Sequence, residues 1–223
     1  MSIRTQTTFE YALEYLEKGY SIIICGKDKR PLLKSWKEFQ TRQPTEDEVL
    51  QWLKDFPDAN IAIVTGRVSN LICVDIDVGH ETSTSITVFP ETRTHTSPSG
   101  GFHLLYKFTE GYSVSANAYP QYPYTDIRGE AGYFLAPNSI TDKGEYKVLK
   151  DLPLAEFPKN LFPKTKPKKT LTEQTTASKG QRNDTIASFI GRLLQSSQES
   201  EWESEVWPAV QRTNMTYTPP LGQ

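Results

Sequence analysis

The sequence predicts an α+β domain built on a mainly antiparallel sheet. Three observations carry that reading. Two stretches near the N-terminus have helical apolar spacing, several short runs have strand length and strand composition, and Gly-rich turns join those runs as hairpins. At 223 residues the chain suffices for one large domain, or for one domain with a small appendage. A hydrophobic fraction of 36% with 11% aromatic residues supports a real core.

The elements follow in order. Phe9–Leu16 has helical apolar spacing, and Gly19 just beyond it suits a C-terminal cap. Tyr20–Cys25 reads as a strand, followed by the basic, turn-rich Gly26-Lys27-Asp28-Lys29-Arg30-Pro31. Thr45 begins a second helix as N-cap, with Glu48 three residues on completing a capping box and Val49, Leu50, Leu53 and Phe56 forming its apolar side. Ile61–Val64 and Leu71–Val78 read as strands, separated by a turn that exposes Arg67. Further strands are expected around 93–108 and 124–136. Residues 1–162 are thus read as one domain.

Pro163–Gly180 differs, with Lys164, Lys166, Lys168 and Lys169 preceding a Thr/Gln/Ser-rich stretch that lacks apolar periodicity, which is linker composition. Residues 181–223 are expected to form a small helical module, with helices at Asn183–Gln195 and near Trp202–Arg212, where Pro208 would bend or split the second. So little follows for these helices to bury against that the chain reads as the front part of a longer polypeptide.

Composition excludes some classes. Lys+Arg 25 against Asp+Glu 27 gives a net charge of −2, so no global basic field advertises nucleic acid, although local patches matter more than the total. Cys25 and Cys73 lie in apolar strand-like runs and read as buried free thiols. Cysteine and histidine spacings argue against a structural zinc. The N-terminus lacks a signal pattern and no apolar run approaches spanning length, so the expectation is a cytoplasmic protein without a membrane partner.

Chemistry enters with Asp75-Ile76-Asp77 at the end of the run Leu71–Val74. Residues two apart on a strand share a face, so both carboxylates project together, while Ile72, Val74, Ile76 and Val78 take the face expected to pack on the core. Adjacent like charges repel unless something positive neutralises them, and Mg²⁺ or Mn²⁺ suits an all-oxygen site. The next segment is Ser97-Pro98-Ser99-Gly100-Gly101-Phe102-His103. Ser97, Ser99 and the Gly100-Gly101 backbone can offer hydroxyls and N–H groups to a phosphate. His103 sits at the second position of the following strand, able to lean toward that turn, whereas His80 and His95 have no such setting and are given no role. The third segment is Asp126-Ile127-Arg128-Gly129, where Asp126 and Arg128 share a face. They read either as an ion pair or as a further metal carboxylate beside a phosphate- or base-binding guanidinium.

Each signal is weak alone, but their order is specific. The chain resembles the prim-pol domain of the archaeo-eukaryotic primase superfamily, and its nearest branch looks like the bifunctional DNA primase/polymerases of plasmids, phages and other mobile elements. The likeness spans about residues 9–160 and extends to Lys29-Arg30-Pro31…Trp36, to the strand running into Thr65-Gly66-Arg67, and to Ala136-Pro137-Asn138-Ser139. It also reaches Lys179–Thr185 and Asn214…Leu221, which look like the helical module that often follows the domain.

The resemblance implies a primase-like catalytic domain with an RRM-like sheet. It implies template-dependent nucleotidyl transfer from a dNTP or NTP to a 3′-hydroxyl, on single-stranded DNA template and primer. Asp75, Asp77 and Asp126 would hold two divalent cations, Mg²⁺ or Mn²⁺. His103, Ser97, Ser99, Gly100 and Gly101 would contact the nucleotide's phosphates, with Arg128, Lys29, Arg30 and Arg67 as further candidates. A helicase or other region often follows in such proteins. The scattered cysteines leave no ordinary inserted zinc element, so template handling falls elsewhere. An extension-only, gap-filling polymerase and a non-catalytic replication-initiator module are the competing readings. Loss of an acidic ligand would mark the initiator, and all three acidic residues are present. A metal-dependent nuclease could use Asp-x-Asp, but the Ser/Gly turn with His103 suits a triphosphate better.

Overall fold

The computed structural model describes residues 3–80, 83–116, 118–163, 190, 206–208 and 210–211. It divides into two compact units, Met1–Lys164 and Thr165–Gln223. The expected linker and the Asn183–Gln195 helix lie almost entirely outside the described residues. In the second unit Trp207, Pro208, Val210 and Gln211 are helical, within the span expected for the last helix. No described helix is long and apolar enough to cross a membrane.

The first unit carries the fold. Helix α1 (Ile3–Glu17) ends before Gly19, whose φ of +82° is the left-handed conformation that terminates helices cheaply at glycine. Helix α2 (Glu46–Asp55) starts with the anticipated capping box, in which the Thr45 side chain accepts from Glu48 N while the Glu48 carboxylate accepts from Thr45 N.

The strands are β1 (Ile22–Cys25), β2 (Asn60–Val64), β3 (Leu71–Ile76), β4 (Arg93–Thr96), β5 (Phe102–Lys107), β6 (Thr125–Arg128), β7 (Tyr133–Leu135), β8 (Ile140–Thr141), β9 (Gly144–Glu145) and β10 (Lys147–Lys150). Every ladder between them is antiparallel. The sequence suggests one sheet, yet the strands divide into two larger sheets, β1-β2-β7 and β10-β4-β5-β3-β6, plus the β8-β9 hairpin. Because β7 crosses to pair with β2, the chain leaving β6 is carried from one sheet to the other.

Packing explains why β3 tolerates no polar residue until its end. Its two faces enter different cores. Leu71 and Cys73 join α1, α2, β1 and β2 in one cluster, while Ile72, Val74 and Ile76 join Leu104, Tyr106, Ile127 and Phe162 in another. The expectation of a single packed face is therefore corrected: β3 is central, flanked by β5 and β6, and both of its faces are covered. It also ends two residues earlier than read, so Asp77 lies just past the strand, its N–H donating to Tyr124 O at 2.9 Å. Both cysteines are buried free thiols, as the apolar setting suggests.

Candidate active site

Antiparallel register builds the site. His95 pairs with His103, His103 with Asp75, and Asp75 with Asp126, so four side chains form one row across β4, β5, β3 and β6. Directly opposed residues on adjacent strands are near neighbours on one face. Exposure rises along the row: His95 and His103 are 4% and 5% exposed, whereas the Asp75 and Asp126 side chains reach 20% and 21%.

Arg128, two residues beyond Asp126 on β6, bridges the carboxylates. Its Nη2 donates to Asp75 Oδ2 and to Asp126 Oδ2, each at 3.1 Å. Burial alone would pull the guanidinium's pKa down, but Asp75 and then Asp126 overcome that and raise it, so the group stays charged. The ion-pair reading of Asp126 and Arg128 is thus what the structure holds, with Asp75 as a second partner 53 residues away in sequence.

His103 Nε2 stands 3.4 Å from Asp75 Oδ1, and its Nδ1 is buried with no hydrogen-bond partner. Burial holds its pKa below the ordinary value, against the pull of Asp75, so the ring is neutral near pH 7. His95, given no role from sequence, is its neighbour in the row, pulled down to about 3 by burial, then by His103, Arg93 and Lys18.

His103, Asp75 and Arg128 border a cavity of about 400 Å³, a size suited to a small-molecule ligand. Asp75, Asp77, Ser97, His103, Arg128 and Lys29 all line it. Lys29 arrives from the β1–α2 connection: its φ is +68°, its N–H closes a turn on Gly26 O at 3.0 Å, and Tyr133 Oη donates to its carbonyl at 3.4 Å. Tyr133, Phe134, Leu135 and Tyr146 supply an aromatic and apolar wall. Tyr133 and Phe134 belong to the aromatic strand that follows the Asp126-Ile127-Arg128-Gly129 segment, so a local signal for them exists. Tyr146, between β9 and β10, has none.

Ser97 Oγ lies 3.1 Å from Ser99 Oγ, and Ser97 N and Gly100 N bond within the β4–β5 turn, to Gly101 O and Ser97 O. Two of the turn's N–H groups therefore close the hairpin itself. The glycines are required there. Gly100 has φ +86°, and a Cβ on Gly101 would meet Ile76 O at 2.6 Å, so this turn can lie against the end of β3 only with glycine. Ser99, Gly100, Gly101 and Asp126 do not themselves line the cavity, although each touches a residue or strand that does. Arg67 is elsewhere: it pairs with Glu110, and its guanidinium lies 5.4 Å from the Phe108 ring centroid. Arg30 is exposed beside Asp28, 3.9 Å away.

Among the described residues, no group of three or more His, Cys, Asp and Glu side chains converges to hold a metal ion. The donor chemistry nevertheless fits a hard divalent cation. Asp75 and Asp126 already share a positive counter-charge in Arg128, and Asp77 lines the same cavity as Asp75.

No curated protein matches the chain. A family model does, over residues 12–160, and that span holds every part of the row, the turn and the cavity: the chain belongs to the Prim-Pol family, described as bifunctional DNA primase/polymerase, N-terminal.

Proposed function

We propose that this chain is a template-dependent DNA primase/polymerase that transfers a nucleotidyl group from a dNTP or NTP to a 3′-hydroxyl, through a catalytic domain of the archaeo-eukaryotic primase type. Family membership implies primase/polymerase activity in general, with DNA and nucleotides as substrates. The single observation supporting the finer reading is the continuous row His95–His103–Asp75–Asp126, in which Asp75 and a neutral His103 border one cavity and Asp126 stands next to Asp75.

Asp75, Asp77 and Asp126 would hold Mg²⁺ or Mn²⁺, two ions in this reading, which when bound acidify a primer hydroxyl and offset charge on the departing pyrophosphate. The remaining roles belong to the chain. Lys29 and Ser97, on the lining, are placed to bind phosphate oxygens, one by charge and one by hydroxyl donation. Arg128 orients Asp75 and Asp126 by bridging them, and its remaining N–H groups would serve a phosphate or sugar oxygen. Neutral His103 meets Asp75 at Oδ1 while Arg128 takes Oδ2, and from the cavity lining it would contact the nucleotide's phosphates.

The test is product formation on single-stranded DNA, with and without a primer, using dNTPs or NTPs and Mg²⁺ or Mn²⁺, beside an Asp75→Ala/Asp77→Ala variant. Unprimed products lost in the variant establish the primase. Extension alone makes it a polymerase of the gap-filling kind. DNA binding without synthesis under any condition leaves the initiator module.

A further inference from the structure

Just outside the cavity, the His80 and Tyr124 rings stack in parallel, centroids 3.9 Å apart and planes within 6°. Both residues are exposed, and Tyr124 is 38% so. Neither lines the cavity, yet both are tied to its acidic end. His80 follows Asp77 by three residues, and Tyr124 O accepts the Asp77 N–H at 2.9 Å.

Tyr124 also has φ +56°, a conformation that a bulky residue adopts at a cost. This exit from the ladder falls one residue before β6, where the register Ile76↔Thr125 would otherwise continue to Asp77↔Tyr124. A strained, exposed aromatic that cores neither sheet calls for a function, and a paired ring face is what a nucleobase stacks on.

We propose that Tyr124, backed by His80, is the stacking platform for the base at the 3′ end of the primer. This rests on the nucleotidyl-transfer reading. If the triphosphate occupies the cavity, the acceptor hydroxyl must approach the same carboxylates from outside it, and Tyr124 lies beside Asp77 on that outside. Stacking is indifferent to base identity, which suits a primer terminus of any sequence.

The experiment measures Kd by fluorescence anisotropy, with the full chain and no nucleotide, on a primer–template and on the same template unprimed. Stacking of one base predicts that Tyr124→Ala and His80→Ala weaken primed-DNA binding by about tenfold or more while unprimed binding is unchanged. Tyr124→Trp retains the affinity. Tyr124→Gly separates stacking from folding: glycine relieves the backbone cost, so Tm holds or rises while primed-DNA affinity still falls. Equal affinity for Tyr124→Gly and wild type overturns the platform, as does an equal loss on unprimed template. The readout needs no synthesis. A chain that makes no product but shows Tyr124-dependent primer binding would defeat the catalytic reading and keep the platform; the reverse outcome would do the opposite.

Discussion

Arg42 and Arg128 each bridge two carboxylates, yet only one of these clusters belongs to a site. Arg42 donates to Glu38 Oε2 at 3.1 Å through Nε and to Glu48 Oε1 at 2.7 Å through Nη2, with its guanidinium 4.6 Å from the Phe39 ring centroid. The Glu48 carboxylate also takes the Thr45 N–H, so the chain itself fills its acceptors and locks the start of α2. Arg128 serves Asp75 and Asp126 at the edge of a cavity that Asp77 also lines, so two carboxylates share one guanidinium and a third borders the same space. A bridged pair closed by backbone donors is a structural clasp. One that leaves negative charge on a cavity wall would, in the proposed function, take a further cation.

The comparison breaks most sharply at Asp75. Asp75→Asn keeps the shape and the Arg128 contact but removes charge from the cavity wall, and synthesis is expected to fall about a thousandfold, several kcal/mol of transition-state stabilisation. Gel-resolved primer extension beside a melting curve measures it. Retained activity in a folded variant would return the Asp75 cluster to the same class as that of Arg42.

The two clusters also differ in how they are written in the sequence. Glu38, Arg42, Thr45 and Glu48 lie within one short window, where i,i+4 spacing and the capping-box pattern announce them. The Asp75–Asp77 and Asp126–Arg128 pairs are legible as same-face residues because strand alternation is local. That Arg128 would reach Asp75, or that His95 would extend the row, depends on which strands are neighbours, and register between distant strands leaves no local trace. Likewise the helices and most strands could be read from periodicity, whereas the division into two sheets follows from β7 pairing with β2. The short β8 and β9 and the exposed, Lys-flanked β10 lack the apolar runs that mark a strand.

A second measurement sharpens the contrast through metal response. Arg128→Met removes the counter-charge between Asp75 and Asp126, at a cost of about 2–3 kcal/mol for partly buried carboxylates left facing each other. A divalent cation should replace what was lost, since free Mn²⁺ at 100 times its Kd returns about 2.7 kcal/mol. The Tm of Arg128→Met is therefore expected to rise with Mn²⁺ more steeply than that of the wild type. Arg42→Met should lower Tm slightly and equally with or without Mn²⁺. Parallel metal titrations of the three proteins decide it, and equal Mn²⁺ slopes for Arg128→Met and wild type would sink the proposed site.

The smallest effect isolates the clasp by pH. Arg42, and after it the Thr45 N–H, holds the Glu48 carboxyl down to about 2 from an ordinary 4.5. A carboxyl depressed in the folded state contributes stability that is fully present above 4.5 and drains away as pH falls toward 2. Glu48→Gln abolishes that titration while leaving every group of the Asp75 row in place. The wild-type and variant Tm curves should therefore be offset at neutral pH and converge below pH 4.5. The offset is expected to stay within about 1 kcal/mol, as for a helix cap at a surface where water screens the charges. Convergence confined to that window places the Glu48 ionisation in the cap alone, because the buried imidazole of His95 titrates identically in both proteins and cancels from the difference.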